Sequence, residues 1–260
     1  MDENFNAIHV ANQLSSFCKT YSLESLFIVG EFCRYLHANK LQDLERIEVC
    51  SAFEDQVIIL GRLFSTEIMH RDADIDEDNN TVTIVFGDNS IQFQGYSTRK
   101  YLRNAEIKQW FQDNRIPDLP LMNNIYSGRF TFNALIYSPI HEKIYDPLKV
   151  GVEDLSKKII RSILPPDLLI KYDPEAILET MNLAMEEDFH IDSNLKSAIK
   201  KQSDVLVKCL SRDTIRKELL AILGINTEKA LKVVEECGLE NLLLSEEVKD
   251  YLGDYYEENG

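Results

Sequence analysis

Residues 130–137 read Phe130-Thr131-Phe132-Asn133-Ala134-Leu135-Ile136-Tyr137, and the chain goes on to Ile144-Tyr145-Asp146-Pro147 and Gly151-Val152-Glu153-Asp154-Leu155. Aromatic and aliphatic side chains at this density fill the interior of a domain that mixes strands and helices. Phe130, Phe132, Leu135 and Tyr137 are therefore read as core. Asn133 caps or braces a loop. Asp146, Asp154 and the later Arg161 are read as structural, tying the loop after a sheet to the first helix beyond it through turn and ion-pair contacts.

Upstream of this stretch the spacing of apolar residues predicts a helix over 7–24, then a short buried strand Leu26-Phe27-Ile28-Val29 ending at Gly30. A second helix holds Arg34 and Leu36 and runs to Asn39. Ile47 and Val49 alternate with Arg46 and Glu48, as in a half-buried strand. A helix follows near 53–64, and the acidic segment Asp72 to Asn80 reads as a turn. Thr81 to Phe86 is rich in β-branched residues and reads as a strand, joined through Gly87-Asp88-Asn89 to a return strand Ser90 to Ser97 with Ile91, Phe93 and Gly95 on one face. Beyond residue 155 strand signals stop. Helical periodicity recurs at 174–186, 193–209, 213–223, 227–237 and 245–252, with Asp173 read as a cap before Pro174. The expected architecture is α+β: a mixed-sheet domain over 1–157, then an all-helical domain over 158–260 that ends in an acidic tail.

Composition bounds the function. The chain has 260 residues, 44% of them hydrophobic, and no long apolar run, so it reads as globular rather than membrane-spanning or disordered. Met1 to Asn6 is acidic and polar, without the basic start and apolar stretch of a secretory signal, so a cytoplasmic or otherwise intracellular location is expected. Cys18, Cys33, Cys50, Cys209 and Cys237 are odd in number and scattered, as reduced core thiols are; zinc is not expected. His70, His141 and His190 read as surface residues. Against 28 Lys and Arg stand 44 Asp and Glu, a net charge of −16, which repels phosphate backbones at long range. With no basic run interleaved with aromatics, nucleic acid is a poor default partner and a protein partner or larger assembly, viral or other, the expected one.

The Phe130–Tyr137 run resembles the FTINALAY signature of the tRNA nucleotidyltransferase (CCA-adding enzyme)/poly(A) polymerase family. Asp146-Pro147, Gly151, Asp154-Leu155 and Arg161 are similar to that family's following segment, and Ser211 to Leu223 with Ala230 to Leu244 resemble its neck. The resemblance implies a nucleotidyltransferase-like head over 1–157 and a neck over 158–260, with no room for the family's long tRNA-gripping body and tail.

Resemblance to this family also implies a chemistry that the residues contradict. The family needs three carboxylates at one end of the sheet, because two magnesium ions bridge the incoming triphosphate and the primer hydroxyl. Its first two come from a DxD, and here those positions are Arg46 and Glu48; a rival register offers Asp43 and Glu45. The third reads Gln94. The Gly-Gly that cradles the triphosphate reads Gly30-Glu31, where a carboxylate repels phosphate. Arg34 matches a family arginine, but the aspartate after it is Tyr35. The Arg-Arg-Asp before the signature reads Ser127-Gly128-Arg129. In the base-reading helix Asp173 survives, while three arginines become Ala176, Glu179 and Asn182. Asp74-Ile75-Asp76 spells DxD in what reads as a solvated turn.

These substitutions imply a pseudoenzyme with vestigial nucleotide-binding positions Gly30, Arg34 and Asp173, no metal and no cofactor, acting as a structural or protein-binding component. Tyr251, Tyr255 and Tyr256 of the tail are its candidate contact. Two alternatives stay open: a divergent magnesium-dependent RNA nucleotidyltransferase using Asp43, Glu45 or Glu48, and a nucleotide or RNA sensor without turnover.

Overall fold

The computed structural model describes residues 5–51, 56–95, 100–186 and 188–240. The chain divides into two compact units, Met1–Ser156 and Lys157–Gly260. In the first unit, helix α1 (Ala7–Tyr21) starts at Asn6, whose side chain accepts from the His9 amide at 3.0 Å, and ends at Ser22 in the left-handed conformation. Its buried Val10, Leu14 and Phe17 fall at helical spacing on one face.

That face covers a seven-stranded mixed sheet of strands β1 (Leu26–Val29), β2 (Arg46–Ser51), β3 (Asp74–Asp76), β4 (Thr81–Phe86), β5 (Asn89–Gly95), β6 (Ile136–Ser138) and β7 (Lys143–Tyr145), in the order β3-β4-β5-β2-β1-β6-β7. β2 and β5 pair in parallel, so a crossover must separate them, and it is helix α3 (Val57–Leu63) followed by β3 and β4. The pleat sends Ile47, Val49, Ile91 and Phe93 to one side, where they join Ile28, Leu14, Phe17 and Phe64 in the main core. Opposite them, Val29, Cys50 and Ile136 form a smaller apolar patch with Phe27 and Leu121. Helix α2 (Phe32–His37) follows β1, while α4 (Ala105–Asp113), α5 (Pro120–Ser127) and α6 (Gly151–Ser156) complete the unit.

The second unit contains helices α7 (Pro166–Tyr172), α8 (Ala176–Glu186), α9 (Ser193–Gln202), α10 (Asp204–Cys209), α11 (Arg212–Ile225) and α12 (Thr227–Cys237). Ile177, Met181, Leu195, Ile199, Leu219, Leu223 and Val234 form its interior.

Local readings are corrected in four places. The helical unit is not free of strand: β8 (Ile159–Ile160) and β9 (His190–Ile191) pair in parallel, each too short to leave a period in the sequence. Asp74 to Asp76 is an edge strand paired with Thr81 to Thr83 rather than a turn, its two carboxylates exposed and Ile75 half-buried. Charged side chains on so short an edge discourage further pairing, and Asp76 is held below the usual carboxylate range by hydrogen bonds from the Asn79 side chain and backbone. Helix α3 is described over Val57–Leu63 and runs past its expected end as a π-helical turn over Phe64–Met69. Asp173 closes α7, and Pro174 falls in the turn between the helices rather than at the first helical position of α8, which begins at Ala176; the Asp173 carbonyl accepts from the Ala176 amide at 3.0 Å. The expected helix at 245–252 and the tail tyrosines lie outside the described residues.

Cys18, Cys33, Cys50 and Cys237 are buried and free, and burial pushes the first three up to about 12 and Cys237 up to about 11. Cys209 departs from the core reading and is exposed. Among the described residues no helix is long and apolar enough to cross a membrane.

Candidate functional site

β1 delivers the chain into Gly30 at φ +71°, a left-handed backbone that glycine adopts without strain. Glu31 then opens α2, and the Arg34 guanidinium turns back to bond its carboxylate. Arg34 is buried, and its guanidinium carbon lies 5.0 Å from the centre of the Tyr35 ring. Next to Gly30 comes the polar face of β2. Arg46 and Glu48 share that face, with Arg46 Nη1 3.9 Å from Glu48 Oε1. A Cβ added to Gly30 would stand 2.7 Å from Glu48 Oε2, so the carboxylate occupies the space beside the turn.

From β5 two amides complete this face. Gln92 stands opposite Glu48 and Gln94 opposite Cys50. The Cys50 thiol is raised to about 12 chiefly by burial and further by the Glu48 charge, against a lowering hydrogen bond with Gln94. The sequence singled out Gln94 but missed Gln92, which only the parallel register places against Glu48. Asp43 sits exposed in the 3-10 turn Leu41–Asp43, and Glu45 is exposed ahead of the strand, its carbonyl accepting from the Ser90 amide at 2.9 Å. Neither belongs to β2.

Gly30→Ala is expected to cost about 2 kcal/mol, through the left-handed backbone and displacement of Glu48. Denaturant melts of Gly30→Ala with and without Glu48→Ala check this: the cost should shrink when Glu48 is already truncated.

The signature segment forms a clamp beside the sheet. The Phe130 amide donates to Asn133 Oδ1 at 2.9 Å, bracing the 3-10 turn Thr131–Ala134. Thr131 Oγ1 donates to the buried Asp154 carboxylate at 2.7 Å, and the Val152 amide donates to Asp146 Oδ2 at 3.0 Å. A Cβ on Gly151 would lie 2.6 Å from the Thr131 carbonyl oxygen, so α6 packs against the turn only because residue 151 lacks one. Phe130, Phe132 and Leu135 are fully buried, and Tyr137 packs on Phe32. The same unit holds a cleft of about 370 Å³ lined by Glu24, Phe27, Ile136, His141, Tyr145, Asp146 and Pro147. Its walls come from positions too far apart in sequence to form a motif.

In the helical unit Ala176 is fully buried and Asp173 nearly so, while Glu179 and Asn182 are half-buried on α8. Arg161 bonds Asp192 at 3.3 Å.

The sequence profile of the poly A polymerase head domain family matches residues 26–161, just over half of the chain. The chain belongs to that family.

Among curated proteins that the chain resembles, the CCA-adding enzyme of Lactobacillus helveticus is 26% identical over 193 residues, 72% of this chain and 44% of that enzyme. A tRNA nucleotidyltransferase of Schizosaccharomyces pombe, cca1, is 31% identical over 112 residues, 42% of this chain and 22% of its own length. The chain thus spans less than half the length of these relatives. By fold, a tRNA nucleotidyltransferase complexed with a primer tRNA and an incoming ATP analog superposes with TM-score 0.66 at 17% identity, covering 89% of this chain and 62% of that one. The Thermotoga maritima CCA-adding enzyme complexed with tRNA superposes with TM-score 0.68 at 16% identity, covering 93% and 53%. The mixed-sheet head followed by a helical neck is therefore the family's fold. These likenesses overturn the expectation that nucleic acid is a poor partner, which rests on net charge alone: two proteins that share this fold were solved with tRNA.

The magnesium pair that the family's chemistry requires does not fit the polar face of this head. Three anionic oxygens are needed close together, whereas among the described residues β2 and β5 present Glu48, which Arg46 already answers, and the neutral amides of Gln92 and Gln94; Asp74 and Asp76 share the face but stand on the edge strand β3, beyond β5 and β4. Among the described residues no three His, Cys, Asp or Glu converge as metal ligands. Glu31, at the second cradle position, is likewise answered from within the chain, by Arg34.

Proposed function

We propose that this chain recognises the 3′ end of a tRNA or tRNA-like RNA without adding nucleotides. RNA comes from the relatives named as tRNA nucleotidyltransferases and from the tRNA complexes that share the fold of both units. The absence of turnover rests on one observation, the Arg46–Glu48 pair. A guanidinium standing where a metal ligand is needed neutralises the carboxylate of β2, and it repels a divalent cation; the other carboxylates of this face, Asp74 and Asp76, stand on the edge strand β3, beyond β5 and β4.

Fluorescence anisotropy with a labelled tRNA tests the binding half of this reading. Micromolar affinity at about 50 mM salt, weakening steeply toward 200 mM, is the expected result. No binding at 100-fold higher protein concentration would end it. A second reading, nucleotide addition by a divergent site, is favoured by the survival of Glu48 on the strand face and by the relatives' activity. The protein-docking role kept its contact in the tail at Tyr251, Tyr255 and Tyr256, outside the described residues. Partner recovery that falls when 246–260 are deleted would return it to first place.

A further inference from the structure

The charge of −16 is spread unevenly. Residues 1–156 carry 14 Lys and Arg against 23 Asp and Glu, whereas residues 157–240 carry 13 against 15. Nearly half of the cations thus sit on a third of the chain. Five of the thirteen lie on α9 and α12, which pack against each other: Lys196, Lys200 and Lys201 on the first, Lys229 and Lys232 on the second.

Between those helices lies a cleft of about 230 Å³, lined by Lys196 of α9, Lys229 and Lys232 of α12 and His190 of β9, over an apolar floor that includes Ala184, Phe189 and Val233. Two carboxylates share it: Glu236 bonds Lys196 and Asp188 bonds Lys229. Hydrogen bonding by Lys196, with a further contribution from the Lys232 charge, holds Glu236 below the usual carboxylate range. Asp188 is lowered in the same way, first by Lys229 and more weakly by Lys158 and His190. Both carboxylates are more exposed than the lysines they bond, 41% against 34% for Glu236 and Lys196, and 69% against 35% for Asp188 and Lys229. Exposed pairs of this kind are worth about 0–1 kcal/mol, so an incoming phosphate displaces them at little cost.

We propose that this cleft is a contact for the phosphodiester backbone of RNA, which gives an acidic chain a local cationic surface. Lysine suits the task because a compact charge on a flexible stem follows a backbone without reading its sequence. The proposal rests on the RNA reading above and names the surface that serves it.

The test is anisotropy with the full chain and labelled tRNA between 50 and 200 mM salt, comparing the unaltered protein with Lys229→Ala/Lys232→Ala. A roughly tenfold loss of affinity at 50 mM is expected, with the slope of log K against log salt falling by about 1 to 2, the contribution of one to two neutralised phosphates. Lys208→Ala is the control, since Lys208 lies on α10 in an exposed pair with Asp204 and outside the cleft. An equal loss in the control overturns the proposal, because net charge alone would then explain it. Unchanged affinity and slope in the double variant overturn the cleft but leave the RNA reading standing, whereas no tRNA binding by the unaltered protein overturns both. Binding of inorganic pyrophosphate that disappears in the double variant while tRNA binding stays whole also overturns it, since the occupant would be a small phosphate.

Discussion

Supplied with magnesium, labelled nucleoside triphosphates and a tRNA lacking its terminal nucleotides, the protein is expected to extend the primer at least about 10³-fold more slowly than a CCA-adding enzyme at equal concentration. Metal-held charge in a phosphoryl-transfer transition state is worth several kcal/mol, and each 1.36 kcal/mol is a factor of ten, so losing about 4 kcal/mol gives that ratio. On the proposed correspondence the loss has three parts: Arg46 stands in place of a carboxylate, Gln92 and Gln94 offer no charge, and Glu31 stands in the phosphate cradle. Manganese in place of magnesium is expected to change nothing. Addition at the rate of the comparison enzyme, abolished by Glu48→Gln or by Asp43→Asn, would restore the catalytic reading and show which register the chemistry uses.

Asp154→Ala is expected to lower the stability of the head by about 3 kcal/mol and its Tm by about 6 to 12 °C. Asp154 is only 2% exposed, and it accepts from Thr131 Oγ1 at 2.7 Å. Truncation strands a buried hydroxyl and unties α6 from the 3-10 turn that Asn133 braces. The penalty of leaving a buried polar group without its partner exceeds the net worth of the bond itself. Thr131→Val removes the other side of the same pair, and the double variant should cost less than the two single changes summed. Differential scanning calorimetry checks both numbers. Additive costs would show that Asp154 acts through other neighbours.

Much of this was legible in local pattern. The run Phe130 to Tyr137 with Asp146, Gly151 and Asp154 carries the head fold because each residue type meets a local demand: a bulky core side chain, a bracing amide, a missing Cβ or a buried acceptor. β2 and β5 announced themselves through alternation, which needs only a face buried on one side, β1 through a short apolar run and β4 through its β-branched residues. The longer neck helices, α8, α9, α11 and α12, showed through a 3.6-residue period over ten or more residues, whereas α7, with seven residues, went unread. β8 and β9 stayed hidden because two residues hold no period, and Asp74 to Asp76 was misread because a charged edge strand looks like a turn until its partner is known.

The identity of Arg46 was readable from the chain; its consequence was not. Strand alternation put Arg46 and Glu48 on one face, but only the parallel register of β2 on β5 set Gln92 beside Glu48, and only the close approach of Gly30 left the carboxylate where it is. The same division governs charge. Composition yielded −16, a sum over all residues that carries no positions, and from that sum nucleic acid looked like a poor partner. Packing of α9 against α12 brings Lys196 together with Lys229 and Lys232 across more than thirty residues of chain. Local signals act over a few residues along the chain, whereas electrostatic sites depend on distance through space, which only the folded backbone sets.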